Sequence, residues 1–176
     1  MLSGPTMRDL LDYTAWQRRL WLEWLGAQQM PVLEIAVGRS GDGRFETVGD
    51  LIKHIFSAEK RYVDRLLQRP ITDTAAIPAN NLDALFGFGD ESRRDLRAFV
   101  EHLRPDDGDT LIEFKLMNSS ITASRRKIVT HVLMHEIRHW AQIATLCRIQ
   151  GLKTGFQDFL FSPAMGGDLK REQHTA

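Results

Sequence analysis

Apolar residues recur at spacings of three and four over three long stretches of the chain, and each stretch predicts a helix. The first runs from about Met7 to about Gln29. Thr6 and Asp9 stand at capping-box spacing before it, Pro31 ends it, and Trp16, Trp21 and Trp24 give it a heavy aromatic face. The second runs from about Val48 to Leu67, with Thr47 and Asp50 as a second capping pair and Pro70 as its stop. Leu51, Ile55, Ala58, Tyr62 and Leu66 line one face of it. The third long stretch runs from about Ile121 to Gln150, with Asn118, Ser119 and Ser120 as candidate caps and Gly151 just past its end.

Between them the pattern is weaker. Residues Ile71 to Asp90 read as irregular, with a short turn at Leu82–Phe86, and a shorter helix follows from about Glu91 to Leu103. Thr110–Met117 alternates weakly and reads as extended chain or loop. The glycine-rich segment from Pro31 to about Glu46 is a long loop of the sort that borders sites. Four helices with one apolar face each predict an all-α four-helix bundle with long connecting loops. A single domain over 1–165 is expected, with Phe156, Phe159 and Phe161 docking on its body and Gly166–Ala176 as a flexible tail.

Composition narrows the function classes. Lys and Arg number 23, as do Asp and Glu, so the net charge is zero. That argues against a nucleic-acid binder held by bulk positive charge; the basic run Arg125–Lys127 reads as a solvated helix start. No apolar stretch reaches the length of a membrane span, and no signal-peptide core forms near the N-terminus, so a cytoplasmic protein is expected. The lone cysteine, Cys147, cannot build a disulfide or a thiolate zinc site, so any metal must rest on His and carboxylates.

Three of the six histidines, His131, His135 and His139, lie four apart in the last helix. Four residues advance about 40° around a helix and about 6 Å along it, so an i, i+4 pair projects two imidazoles the same way. With Ile128 at zero, His135 and His139 fall at about 340° and 20°, in the middle of the apolar face, and His131 falls at its edge near 300°. Two imidazoles pointing into a core need partners for their ring nitrogens, and a metal supplies one for each. The bland alternative is a pair of core histidines held by hydrogen bonds. A third ligand should come from another helix, and His54, on the rim of the second helix's apolar face, is the best placed; His102 reads as solvated and His174 lies in the tail. Glu59 falls inside the same apolar arc, about 140° from His54, and is expected to be a buried acid held by a neighbouring helix, away from any metal.

These segments resemble the DinB-like bundle proteins. Thr47-Val-Gly-Asp-Leu-Ile-Lys-His54 with Ala58-Glu59 is similar to their second helix, and His135-Glu-Ile-Arg-His139-Trp-Ala-Gln142 to their fourth. Tyr13-Thr-Ala-Trp16, Gly151 and Asp158-Phe159-Leu160 extend the resemblance over most of the chain. Where the commonest family form reads His-Arg-Gly-Gln, this chain has His139-Trp140-Ala141-Gln142, a departure that leaves the ligand positions intact. The resemblance implies an up-down-down-up bundle and a metal site on His54, His135 and His139, with His131 and Gln142 as candidate partners behind the ligands. It implies a divalent ion, nickel or zinc, and in some relatives thiol-dependent transfer using bacillithiol or mycothiol. A metal-dependent enzyme acting on a small molecule is the leading expectation, and a non-catalytic structural or sensory metal protein is the alternative; the catalytic residues stay unknown. A homodimer is also expected. The family habit implies it, and the last helix carries a second apolar stripe, Val129, Leu133, Ile137, Trp140, Ala144 and Cys147, wider than a bundle needs.

Overall fold

The computed structural model describes residues 4–41, 43–116 and 118–166. Four helices form the body: α1 (Met7–Gly26), α2 (Val48–Leu66), α3 (Leu82–His102) and α4 (Arg125–Ile149). A hairpin of β1 (Leu111–Leu116) and β2 (Ser119–Ser124) leads into α4. The expected tail lies outside the described residues except for Gly166, as does His174.

Local chemistry starts each helix. Thr6 with Asp9, and Thr47 with Asp50, both close full capping boxes. The third helix differs from the sequence expectation of irregular chain up to Asp90: α3 begins at Leu82. The Asn81 side chain accepts from the Ala84 backbone N–H at 2.9 Å, and the helix runs unbroken from Leu82. Gly87 and Gly89 weaken the periodic signal there. Gly89 has a packing reason, since a Cβ at that position would sit 2.9 Å from the Phe56 ring. The start of α4 is corrected too. Ile121 and Ala123 belong to β2, paired with Phe114 and Ile112, and Ser124 rather than residues 118–120 caps the helix by accepting from the Lys127 N–H. Ile121 and Ala123 alternate with Ser and Thr, a period of two that runs without a break into the helical pattern of α4.

Side-chain pairs fix the directions of the helices. Arg18 meets Glu136 and Trp21 stacks on Trp140, so α1 and α4 run parallel. Asp12 meets Arg97 and Arg18 reaches the Gly89 carbonyl, so α1 and α3 run antiparallel. Phe56 meets Phe86 and Lys60 meets Asp95, so α2 runs with α3. His54 meets His139 while Tyr62 meets His131, so α2 runs against α4. The result is an up-down-down-up bundle in which α1 and α2 are diagonal and each touches both α3 and α4.

Two apolar clusters fill it. One gathers Trp21, Leu51, Phe56, Leu85, Trp140 and Ile143, and the other Leu11, Val63, Leu96, Val129 and Leu133. Between them lies a layer of charge. Arg18, Glu59, Arg93 and Glu136, one from each helix, are all at least nine-tenths buried. Arg18 donates to Glu136 at 2.6 Å and to Glu59 at 2.8 Å; Arg93 donates to Glu59 at 2.7 Å and also to Glu136. Two cations face two anions, so the layer is neutral. Burial pushes the Glu136 carboxyl up, but Arg18, Arg93 and the Trp140 N–H outweigh it and hold it below the usual range.

The second stripe of α4 is taken up within this one chain. Val129, Leu133, Trp140 and Cys147 are completely buried within the bundle, while Ile137 and Ala144 stay partly exposed beside Tyr13 and Gln157. The docking expected of the C-terminal aromatics holds in part. Phe159 packs edge-on against Tyr13, whose hydroxyl donates to the Gln157 carbonyl at 2.9 Å. Phe156 meets Phe161 edge-on and stays 77% exposed.

Candidate metal centre

His54 stands in the first half of α2, and His135 and His139 on successive turns of α4. Because the two helices run antiparallel and adjacent, the imidazoles meet at the seam. His54 Nε2 lies 3.1 Å from His135 Nε2, which lies 3.2 Å from His139 Nε2. The three rings offer one nitrogen each within 4.8 Å of one another. Ligands at about 2.1 Å from one ion sit roughly 3.0–3.4 Å apart in octahedral or tetrahedral geometry. The spacing fits an ion. It fits a purely hydrogen-bonded trio less well, since three converging nitrogens cannot each find a donor among themselves.

The electrostatics keep the rings neutral. Burial, then His139, Arg61, Arg44 and Arg138, push His54 down to about 4. Burial, then the neighbouring histidines and Arg138, push His135 down to about 3. His139, only 4% exposed, is lowered by burial and by Arg138 and Arg44, partly offset by Gln142. Neutral imidazoles keep their lone pairs, the state a metal needs.

His139 Nδ1 is 2.9 Å from Gln142 Oε1. An amide oxygen only accepts, so Nδ1 carries the proton and the Nε2 lone pair is turned to the shared point. Outer partners of this kind fix ring orientation in metal sites. His131 is placed differently. Its centroid is 5.8 Å from that of His135, it packs edge-on against Tyr62, and no hydrogen bond joins it to the three. Glu59 is 2% exposed and turned away, into the charged layer with Arg18 and Arg93. Phe45 covers the trio from the loop side, 4.7 Å from the His54 ring. The Val37 N–H donates to Glu46 O and the Val48 N–H to Ile35 O, folding that loop back over α2.

Several neighbours escaped the sequence reading. Glu136 sits at about 80° on the α4 wheel, inside the apolar arc, the same signal that singled out Glu59. Arg18 and Arg93 follow from the need to balance two buried acids. Phe45 and Arg138 carry no periodic signal; Arg138 is on the polar side of α4, and its long side chain folds back to bring the guanidinium within 3.3 Å of Nε2 of the adjacent His139.

Among the described residues, no fourth His, Cys or carboxylate joins the three imidazoles. An ion bound there would keep a position open to a small molecule. An open groove of about 730 Å³ runs along the outer face of α4 and is lined by His135, His131 and Arg138 among others. No helix is long and apolar enough to cross a membrane. No curated protein matches the chain. A sequence model of the DinB family matches residues 3–172, nearly the whole length, and with its four-helix bundle and three-histidine cluster the chain belongs to the DinB family.

Proposed function

We propose that this protein is a metal-dependent enzyme in which His54, His135 and His139 hold a divalent ion, nickel or zinc, through Nε2 and present it to a low-molecular-weight thiol for transfer to an electrophile. The observation that carries the proposal is the convergence of three neutral imidazole nitrogens at 3.1 and 3.2 Å with no fourth protein ligand among the described residues. A bound divalent ion supplies Lewis acidity, lowering the pKa of a thiol or water placed beside it. The chain's own part is positional. Gln142 holds the His139 tautomer, Phe45 shields the His54 side from water, and the rigid turns of α2 and α4 fix the rings before any ligand arrives. A structural or sensory site would favour closed coordination, whereas three ligands beside a groove favour turnover.

Metal analysis of the purified protein, before and after chelation and refilling, tests the first half. About one ion per chain is expected, with uptake lost in His135→Ala and His139→Ala. Failure of the wild type to take up either ion rejects the centre. The second half is tested by incubating the loaded protein with bacillithiol or mycothiol and monochlorobimane. Conjugation that disappears on chelation is expected; metal uptake without turnover rejects the enzyme reading. A homodimer is a separate proposal, supported by the family resemblance; most of the second stripe of α4 is taken up within the bundle, and only Ile137 and Ala144 of it stay partly exposed. Sedimentation at twice the chain mass of 20.1 kDa is expected, and a single-chain mass rejects it.

A further inference from the structure

Among the described residues, the groove wall beside the three histidines is one-sided in charge. The groove beside His135 is lined by Ser124, Thr130 and Met134, by His131, and by the cations Arg126, Lys127 and Arg138, with no carboxylate in its wall. Arg126 is paired with Asp109 at 2.7 Å. Lys127 and Arg138 have no acidic partner within 4.0 Å among the described residues. Arg138 is the inner one, with Nη2 at 3.3 Å from His139 Nε2. On the α2 side Arg61, two turns beyond His54 on the same face of the helix and without an ion pair among the described residues, adds positive potential at His54, as does Arg138. The acids buried nearby, Glu59 and Glu136, are already neutralised by Arg18 and Arg93.

Three neutral ligands would leave a divalent ion its full charge. Ligating histidines donate their outer ring N–H to a carboxylate, a backbone carbonyl or water, and a carboxylate in that place tempers the charge of the ion. This one adds guanidinium groups instead. Cations gathered along one groove raise its local potential and draw anions to it. A bidentate oxyanion suits a guanidinium far better than a neutral amide or alcohol does.

We propose that the groove along α4 receives the carboxylate or phosphate group of the substrate, with Arg138 as its inner contact beside the imidazoles, Lys127 farther along the helix and Arg61 facing them from α2. This names the substrate class of the centre proposed above and rests on that reading. It selects among thiols and electrophiles: those carrying an oxyanion a few bonds from the reacting atom are taken, and neutral analogues of the same shape are not.

The test compares succinate with its neutral isostere succinamide by calorimetric titration of the zinc-loaded and the chelated full-length protein. Succinate is expected to bind the loaded protein at least about tenfold more tightly than succinamide, since hydrogen bonds to charged groups are worth roughly that much or more. Arg138→Gln and Arg61→Gln should each remove about tenfold of the succinate affinity, while Arg138→Lys should keep most of it. Arg138 is exposed and Arg61 partly so, each on a helix, and circular dichroism of each variant confirms that the bundle is intact. Equal binding of succinate and succinamide, or unchanged succinate affinity in both glutamine variants, overturns the inference. Metal content is measured on the same samples. Normal metal uptake with no anion preference overturns this inference alone. Absence of metal uptake overturns the metal centre, and the groove is then decided by the chelated protein, in which succinate must still be preferred and Arg138→Gln must still abolish the preference.

Discussion

Gln142 and Glu136 show what a single side chain does behind the site. Gln142 accepts from His139 Nδ1 and so sets which nitrogen faces the shared point. Gln142→Leu is expected to weaken metal binding about 10–100-fold with little change in fold, read by competition with a chelating dye. Unchanged affinity would mean that packing alone orients His139. Glu136 answers both buried arginines and the Trp140 N–H. Glu136→Gln leaves the layer with an unpaired cation and is expected to cost about 3–5 kcal/mol in urea denaturation. At this scale the sequence was legible where a polar residue falls inside an apolar arc. His135, His139 and Glu59 were found that way, and Glu136 has the same phase. Arg138 was not legible, because a surface arginine looks the same whether it faces solvent or a site.

At the scale of elements, the close approach of α2 and α3 rests on Gly89. Its missing Cβ admits the Phe56 ring, and Arg18 lies 4.5 Å over the same ring. Gly89→Ala must push that ring aside and is expected to cost about 1–3 kcal/mol despite the better helix propensity of alanine. A stabilised variant in thermal melts would contradict this. The end of α2 depends on Asp64, which is fully buried, accepts from Arg69 at 2.6 Å and from the Thr72 N–H at 2.9 Å, and has Lys60 at 3.5 Å. Burial raises its pKa, but the bonds from Thr72 and Arg69 and the charge of Lys60 outweigh it, so the folded value lies below the unfolded one. The stability it contributes is therefore present above the unfolded value of about 3.9 and is lost as the pH falls through the folded one. Asp64→Asn is expected to be less stable than wild type at pH 7, with a gap that narrows below about pH 4. A gap that stays constant down to pH 2 would show that the carboxylate charge is not what matters. Helices with capping boxes and strict periodicity, α1 and α2, were legible at this scale. The first half of α3 was not, because two glycines needed for packing look like loop residues, and β2 was absorbed into α4 because a strand that feeds directly into a helix leaves no gap between the two periods.

For the whole molecule, the seam between α2 and α4 is the place where function and stability meet. The two apolar clusters lie above and below the charged layer, and that layer ties all four helices together. The imidazoles join only two of them. An ion shared by the three rings would make them a cross-link between helices distant in sequence. An ion that binds the folded chain and not the unfolded one stabilises it by RT ln(1 + [M]/Kd), about 2.7 kcal/mol at a hundredfold excess over Kd. For a chain of this size that is a rise of roughly 5–10 °C in the melting midpoint. Each further tenfold in free ion adds about 1.4 kcal/mol. The expected result is a midpoint that climbs with the logarithm of free zinc or nickel in a metal-buffered melt, falls back on chelation, and loses its slope in His54→Ala. The slope separates binding at the seam from a general salt effect, since His54→Ala keeps every surface charge. A midpoint indifferent to either ion, or a slope that survives in His54→Ala, would place the stabilising ion somewhere other than the three converging rings.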